Sequence, residues 1–456
     1  MPCLFLHQNK TNMPSTTGMS ATAAAPVNQS ERIIILDSLR GIAVLGILLM
    51  NIPGFAFPQV NRLDNSVLGE WSGPNYYVWY LVEWIMEGSQ RAIFSLLFGA
   101  GTILFVSRLE KRTEGLMPAE YFIRRQLWLL LFGLFNAYVL LWFWDVLFHY
   151  AIFGIILFAF RRVPPKGLLI AAGVCMLLMM VRENVDLLRD KKVISRGEAV
   201  TKIDTLKTKL TDQQKEQLGE MTGFKERSAH ESKIKRMEKQ LKEVRGSYID
   251  LYRNHSNQSY HYQTAGTYHF LFWDVLLFMF IGMAFFKMGI LTGEAPIRVY
   301  VWLFVIGMVL GLILSYFRLQ PLIEAKHNDF EYSRSIKMEF YEISRLFRSL
   351  GVFGLIMLMY KSGWFKWLFA LMRPVGQMAF TNYLTQSFLC GLFFYGIGFG
   401  MFGKLQRYEM YYVVAAVWVL QIIWSHIWLR YFRFGPLEWL WRSLTYWKRQ
   451  PFRKGK

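Results

Sequence analysis

Residues 33–52 read IIILDSLRGIAVLGILLMNI, an apolar run whose polar residues keep to its ends: Asp37, Ser38 and Arg40 at the start, Asn51 at the finish. As a helix rising about 1.5 Å per residue, such a run is about 30 Å long, the thickness of a bilayer's hydrocarbon core. Its apolar character is continuous rather than alternating. Backbone in hydrocarbon must satisfy its own N–H and C=O groups, so the run reads as a helix and not as a barrel strand. Comparable runs follow at 76–107, 125–142, 145–161, 167–183, 268–290, 298–316, 344–361, 375–399 and 410–430. The fold class that follows is all-α, a polytopic transmembrane helical bundle of about ten spans.

The chain is 54% hydrophobic and 17% aromatic, yet its mean hydropathy is only +0.23. A polar segment must dilute the average, and residues 184–267 supply it. A net charge of +20 would suit nucleic acid, but the Lys and Arg gather at the ends of apolar runs, as topogenic signals do. A nucleic-acid partner is therefore excluded and membrane lipids are expected. The three cysteines, Cys3, Cys175 and Cys390, have neither metal-ligand spacing nor a disulfide framework, and no metal is expected.

The basic clusters set the topology. Arg108, Lys111, Arg112, Arg124 and Arg125 precede the third run, and Arg161, Arg162 and Lys166 follow the fourth, while the connection from Trp142 to Asp145 has no Lys or Arg. By the positive-inside rule the basic loops are cytoplasmic and the Trp-rich one is external. With ten crossings the basic tail also returns to the cytoplasm, so both termini are expected there. The organisation expected is a disordered tail at 1–30, spans one to five at 31–183, an extracytoplasmic insertion at 184–267, spans six to ten at 268–430, and a basic amphipathic tail at 431–456. In that tail Glu438, Arg442 and three tryptophans suit an interfacial helix on anionic lipid. The second run carries Glu83, Glu87 and Arg91 and is expected to break near Gly88.

Within the insertion, Ile234, Met237, Leu241, Val244 and Leu251 follow a heptad-like spacing, as do Ile203, Leu206 and Leu210. Ser228 and Glu231 have capping-box spacing. These predict an antiparallel helical hairpin, 198–221 and 229–252, turning near Gly223 and dispensable for membrane folding.

The stretch LDSLRGIAVLGILLMN at 36–51 resembles the opening helix of the YeiB-like bacterial membrane family, a group of unknown function. FSLLFGAG at 94–101, RPVGQMAFTNYLTQS at 373–387 and the run from Trp424 to Arg453 extend the resemblance over nearly the whole chain except the tail and the insertion. It implies a multi-pass protein of the bacterial cytoplasmic (inner) membrane. The opening helix also resembles that of two transmembrane acyltransferase groups, the sugar O-acyltransferases and the heparan-glucosaminide N-acetyltransferases. These take an acyl group from a cytosolic donor such as acyl-CoA and place it on an acceptor at the other face. In the first group an Arg is followed eleven positions later by a His; here Arg40 matches and Asn51 stands in the second place. The third span, where YeiB-like relatives carry a His, has Asn136. The resemblance implies acyl-CoA as donor substrate and an extracytoplasmic glycan or small molecule as acceptor.

Ionisable groups inside spans are costly and mark functional candidates. Asp37 and Arg40 share one helical face and, with Asn382 and Gln386 of the polar stripe on the ninth span, are the candidates for binding the donor. Asn51, Asp145 and His149 are the catalytic candidates, since the last two stand one turn apart and a carboxylate orienting an imidazole makes a general base. Asn382 and Gln386 have a second reading as interhelical glue. Asp274, Arg345 and Arg348 are candidate intramembrane ion partners. His255, His261 and His269 precede the sixth span without accompanying cysteines. A transporter of a small or amphiphilic molecule, or a noncatalytic scaffold, would use the same buried polar residues differently.

Overall fold

The computed structural model describes residues 33–204 and 209–454; the tail expected at 1–30 and Leu206 of the insertion lie outside the described residues. Among the described residues every regular element is a helix, and the one strand-like feature is an isolated antiparallel bridge between Phe432 and Arg453. Seven helical stretches there are long and apolar enough to cross a membrane: Ile34–Ala56, Gly73–Glu110, Pro165–Thr201, Tyr248–Lys287, Ile297–Glu324, Tyr341–Ser362 and Met410–Tyr431.

The other three expected runs are also helical, in shorter or more polar form. Helix α4 (Met117–Tyr138) carries Glu120, Arg124 and Arg125 near its start. Helix α5 (Leu147–Ala159) has 13 residues, about 20 Å of rise. The 375–399 run divides at Met378 into α14 (Lys366–Gln377) and α15 (Ala379–Phe394).

Helix α1 (Ile34–Ala56) is the centre of the bundle, and most of its residues are buried. It packs on α14, α15, α3 (Ser89–Glu110) and α16 (Met410–Tyr431). The approach to α14 is backbone to backbone: a Cβ on Gly41 would sit 2.1 Å from the Met372 carbonyl oxygen. The expected break near Gly88 is present. Helix α2 (Gly73–Leu81) passes into a π turn at Val82–Met86, and Gly88 takes φ +74 before α3 starts. Arg345 fills the space in front of Gly88, its Cδ 2.3 Å from where a Cβ would be.

The insertion departs from the expected hairpin. Helix α6 (Pro165–Thr201) carries the fifth run without a break into the insertion. Helix α7 (Asp212–Ser228) contains Gly223 in its interior, and the turn falls at Ala229. The Ser228–Glu231 capping box is not formed, because Ser228 ends α7 and α8 (His230–Val244) has no side-chain cap. The capping boxes that do form are Thr211 with Gln214 and Ser247 with Asp250, the latter opening α9 (Tyr248–His261). Ser247 thus splits the long second arm in two. The insertion is also fastened to the bundle: Gln240 accepts from the Gln59 amide at 2.8 Å, Lys233 reaches Asp64 at 2.6 Å, and Arg245 donates to the Phe402 carbonyl at 2.7 Å.

At the other end α17 (Pro436–Tyr446) packs under α4 and α15 rather than lying free on a surface. Trp441 donates to the Arg125 carbonyl at 2.9 Å, and the Arg125 guanidinium stacks 3.6 Å over its ring.

Candidate functional site

Helix α1 borders two cavities, one at each end. Arg40 and Asn51, eleven residues and about 16 Å apart along the axis, fall in different ones. The first, of about 260 Å³, lies at the end carrying the basic loop and α17. Its walls are apolar, with Leu36, Phe94, Leu97, Phe98 and Leu129, and its polar border holds Arg40, Arg108, Arg125 and Arg442. Asp37 lines it too, pairing with Arg40 at 3.0 Å and accepting from Gln377 at 3.3 Å. Glu438 closes the same end: it accepts from the Phe380 and Thr381 amides at 2.8 and 3.0 Å and from the Thr381 hydroxyl at 2.5 Å. It therefore caps the N-terminus of α15, where a carboxylate meets the positive end of the helix dipole.

The second cavity, of about 940 Å³, lies among the loops of the opposite end. Asn51, Arg62, Trp79, Trp144 and Arg407 line one side. The other side is an ion network contributed by α3, α6, α10 (Phe272–Lys287) and α13 (Tyr341–Ser362). Asp274 accepts from Arg345 at 2.5 Å and Arg91 at 2.7 Å, while Glu342 accepts from Arg345 at 2.7 Å and Arg182 at 2.8 Å. The expected pairing of Asp274 with Arg345 is made. Arg348 goes elsewhere, to Glu87 at 3.3 Å, because the π turn presents both the Glu87 carboxylate and its carbonyl.

A single layer separates the cavities. Val146 lines the larger and Leu147 the smaller; Arg91 lines the larger and Tyr150 the smaller. Tyr150 and Ser95 share a hydrogen bond of 2.6 Å across this layer. Asp145 lies within it, 1% exposed. Its carboxylate accepts from Asn136 at 2.8 Å, from the Phe148 amide at 2.9 Å and from the Tyr383 hydroxyl at 3.3 Å. Tyr383 in turn lines the smaller cavity.

The sequence candidates are therefore distributed unevenly. Asp37 and Arg40 stand together at the smaller cavity, and Asn51 stands in the larger. Asp145 and His149 are adjacent, but the carboxylate does not orient the imidazole: His149 Nδ1 donates to the Asp145 carbonyl at 3.1 Å, and Nε2 accepts from Thr267 at 2.8 Å. Neither Asn382 nor Gln386 lines either of these cavities. Asn382 bonds Val375, Ser425 and Trp424, and Gln386 bonds Val44 and Gln421, so both act as glue joining α1, α15 and α16. The histidines do not converge either: His255 stacks on Phe143 and His269 pairs with Asp186 at 2.9 Å. Sequence reasoning missed Tyr383, Tyr150 and Ser95. Tyr383 sits in the quoted polar stripe beside Asn382, and its neighbours drew the attention.

Residues 285–448 match the family described as "Protein of unknown function (DUF418)". The chain is 28% identical to the uncharacterized protein YxaH of Bacillus subtilis (strain 168), over 94% of this chain and 98% of that protein. It is 28% identical to the uncharacterized protein YeiB of Escherichia coli (strain K12), over 91% and 96%. An uncharacterized 39.9 kDa protein of Bacillus acidopullulyticus is 25% identical over 93% and 97%. No solved structure matches the chain. The chain is thus similar from end to end to YxaH and YeiB, and its C-terminal helices, residues 285–448, match the DUF418 family of unknown function.

Proposed function

We propose that this membrane protein moves an acyl group from a cytosolic acyl-CoA-type donor to an acceptor on the far side of the bilayer. The observation that carries the reading is the pair of back-to-back cavities that α1 serves from its two ends, parted by the one layer that contains Asp145. Two substrates that never share a compartment need such an arrangement.

The smaller cavity suits the donor. Its 260 Å³ falls just below the roughly 300 Å³ at which small-molecule pockets begin, room for an acyl-thioester arm but not for a nucleotide. The phosphates would stay outside among Arg40, Arg108, Arg125 and Arg442, whose guanidinium groups match phosphate oxygens. The acyl carbon would then lie near Tyr383 and Tyr150. Asn51 and the chamber would hold the acceptor. Its hydroxyl or amine attacks the thioester carbonyl, its proton passes through Tyr383 to Asp145, the C–S bond breaks, and Asp145 returns the proton through Tyr383 to the thiolate, which leaves towards the cytosol as the thiol. His149, tied to Thr267, positions the Asp145 turn.

The basic loops and α17 would face the cytoplasm of the bacterial inner membrane, with the insertion outside. The test is donor binding to the purified protein in nanodiscs, measured calorimetrically with acetyl-CoA. Binding that is lost in Arg40→Ala supports the reading. An absence of binding, together with uptake of a solute into proteoliposomes, would replace it with transport.

A further inference from the structure

The larger chamber has its mouth on the side of the bundle. Of its lining residues, the exposed ones are Gln59 in the loop after α1 and, on the side, Asn257, His261 and Phe270, from α9 and from the π segment Tyr262–Leu271 that follows it. Across the mouth stands α6, which contributes Arg182, Glu183 and Asp186. Side chains bridge the two walls: His269 meets Asp186 at 2.9 Å, and Arg182 donates to the His269 carbonyl. These bridges are partly solvated, with Asp186 33% and His269 42% exposed, so they can open at small cost.

The rim is apolar on its outward face. Val181, Val185 and Leu188 of α6 are 51%, 47% and 61% exposed, and Tyr268 and Phe270 of the π segment are 78% and 57% exposed. Both walls belong to stretches long and apolar enough to span a bilayer. Val181 and Phe270 stand at the apolar ends of these stretches and face the hydrocarbon edge, Arg182 and His269 suit the interface just above, and Val185, Leu188 and Tyr268 extend the apolar rim beyond it. The mouth therefore runs from the polar Asn257 and His261 down into the hydrocarbon edge at Phe270. A run of π geometry is uncommon and recurs at functional sites; here it swings Gly266 to face the chamber.

Inside, one cation makes no salt bridge, with Glu83 and Glu87 acting on it only from further off. Arg62 lies 3.8 Å over the Trp144 ring, and among the described residues no carboxylate reaches it at salt-bridge distance. Arg91, Arg182, Arg318, Arg345 and Arg407, by contrast, all have carboxylate partners. Arg62, with no carboxylate in direct contact, can take an anion from outside.

We infer that the chamber takes an anionic amphiphile sideways from the membrane, its charged head at Arg62 and its chain leaving between α6 and the π segment. The inference rests on the acyl-transfer reading only in calling that amphiphile the acceptor; entry itself requires no reaction.

The test uses the full chain in phosphatidylcholine liposomes, with its native cysteines replaced by serine and Met50→Cys as a reporter on the chamber wall. The probe is phosphatidylethanolamine bearing a maleimide on its amine, which leaves the phosphate as the net charge. The expected result is a lipid adduct on M50C, read by intact mass. Gly266→Phe, which fills the mouth, should abolish it, whereas Gly266→Ala should keep it, since a Cβ there meets nothing closer than 3.5 Å. Arg62→Gln should slow it by about tenfold, the loss of one charge-assisted contact. A sulfonated water-soluble maleimide is the second arm. If it labels M50C while the lipid probe does not, the chamber is served from water and the inference fails. It fails equally if the lipid adduct forms and Gly266→Phe and Arg62→Gln both leave its rate unchanged.

Discussion

The Tyr383 hydroxyl joins Asp145 to the smaller cavity: it donates to the carboxylate at 3.3 Å and accepts the Val146 amide at the same distance. If Asp145 receives the acceptor's proton through this hydroxyl, Asp145→Asn should lower turnover by about 10²-fold or more, and Tyr383→Phe should do so less severely. Single-turnover release of CoA from a bound acyl donor measures both. Wild-type rates in Asp145→Asn would leave the carboxylate with its other task, capping Phe148 at the start of α5.

Arg40 pairs with Asp37, but 30% of its side chain remains exposed. Such a pair contributes about 1 kcal/mol or less to stability, so Arg40→Ala should leave the melting temperature nearly unchanged. Donor affinity should fall by about tenfold. The opposite pattern, a lower melting temperature with intact binding, would assign Arg40 to the fold.

Lys233 ties the insertion to two loops, reaching Asp64 and the His327 carbonyl, both at 2.6 Å. The pair is nearly buried, at 8% and 13% exposure, and removing one partner of a buried pair costs about 3 kcal/mol. Lys233→Met should therefore lower the unfolding midpoint in detergent. Replacing 198–252 by a Gly/Ser linker should give a poorly dispersed protein, contrary to the dispensability expected of a hairpin whose helices pack on each other. A monodisperse deletion with an unchanged midpoint would make the insertion an accessory after all.

His327 is buried in the same clasp, against Trp79 and Trp71, with Asp64, Lys233, Arg318 and Arg407 as its charged surroundings. Burial pushes its imidazole down to about 4, the nearby Asp64 opposing only in part. Between that value and the ordinary value near 6.5 the unfolded chain binds a proton that the folded one does not, so stability falls as pH drops through this window. The full effect is about 3 kcal/mol. Thermal unfolding from pH 7 to pH 4.5 should show wild type losing more than His327→Gln; parallel losses would place the acid sensitivity elsewhere.

Glu438→Ala should free the first amides of α15 and cost about 1–2 kcal/mol. Because Glu438 also lines the smaller cavity, the same change should weaken donor binding. Hydrogen exchange at Phe380 and Thr381 is the direct readout, and unaltered protection there would deny the cap.

Composition and run length made the helices legible, and Gly88 marked the break in the second run. Local pattern could not show that Ser228 ends one helix instead of starting another, because Ala229 turns the chain without a Gly or Pro signal. Lys-rich α8 looked solvated; its anchors, Asp64 and the His327 carbonyl, are far away in sequence. Arg40 and Asn51 could be paired with opposite faces by helical rise alone. The partition could not be foreseen, since Ser95, Tyr150, Asp145 and Tyr383 come from three separate stretches that only tertiary packing assembles.

The Glu438 cap has a consequence for how the chain is made. The Phe380 amide waits for a carboxylate 58 residues further on, which at about 5–20 residues per second means roughly 3 to 12 s of synthesis. During that interval the start of α15 stays open, and the wall beneath the smaller cavity is missing. The inserted bundle is thus sealed at this end only when α17 has left the ribosome, so a chain stalled or cut before Glu438 carries an unsealed face beside the smaller cavity.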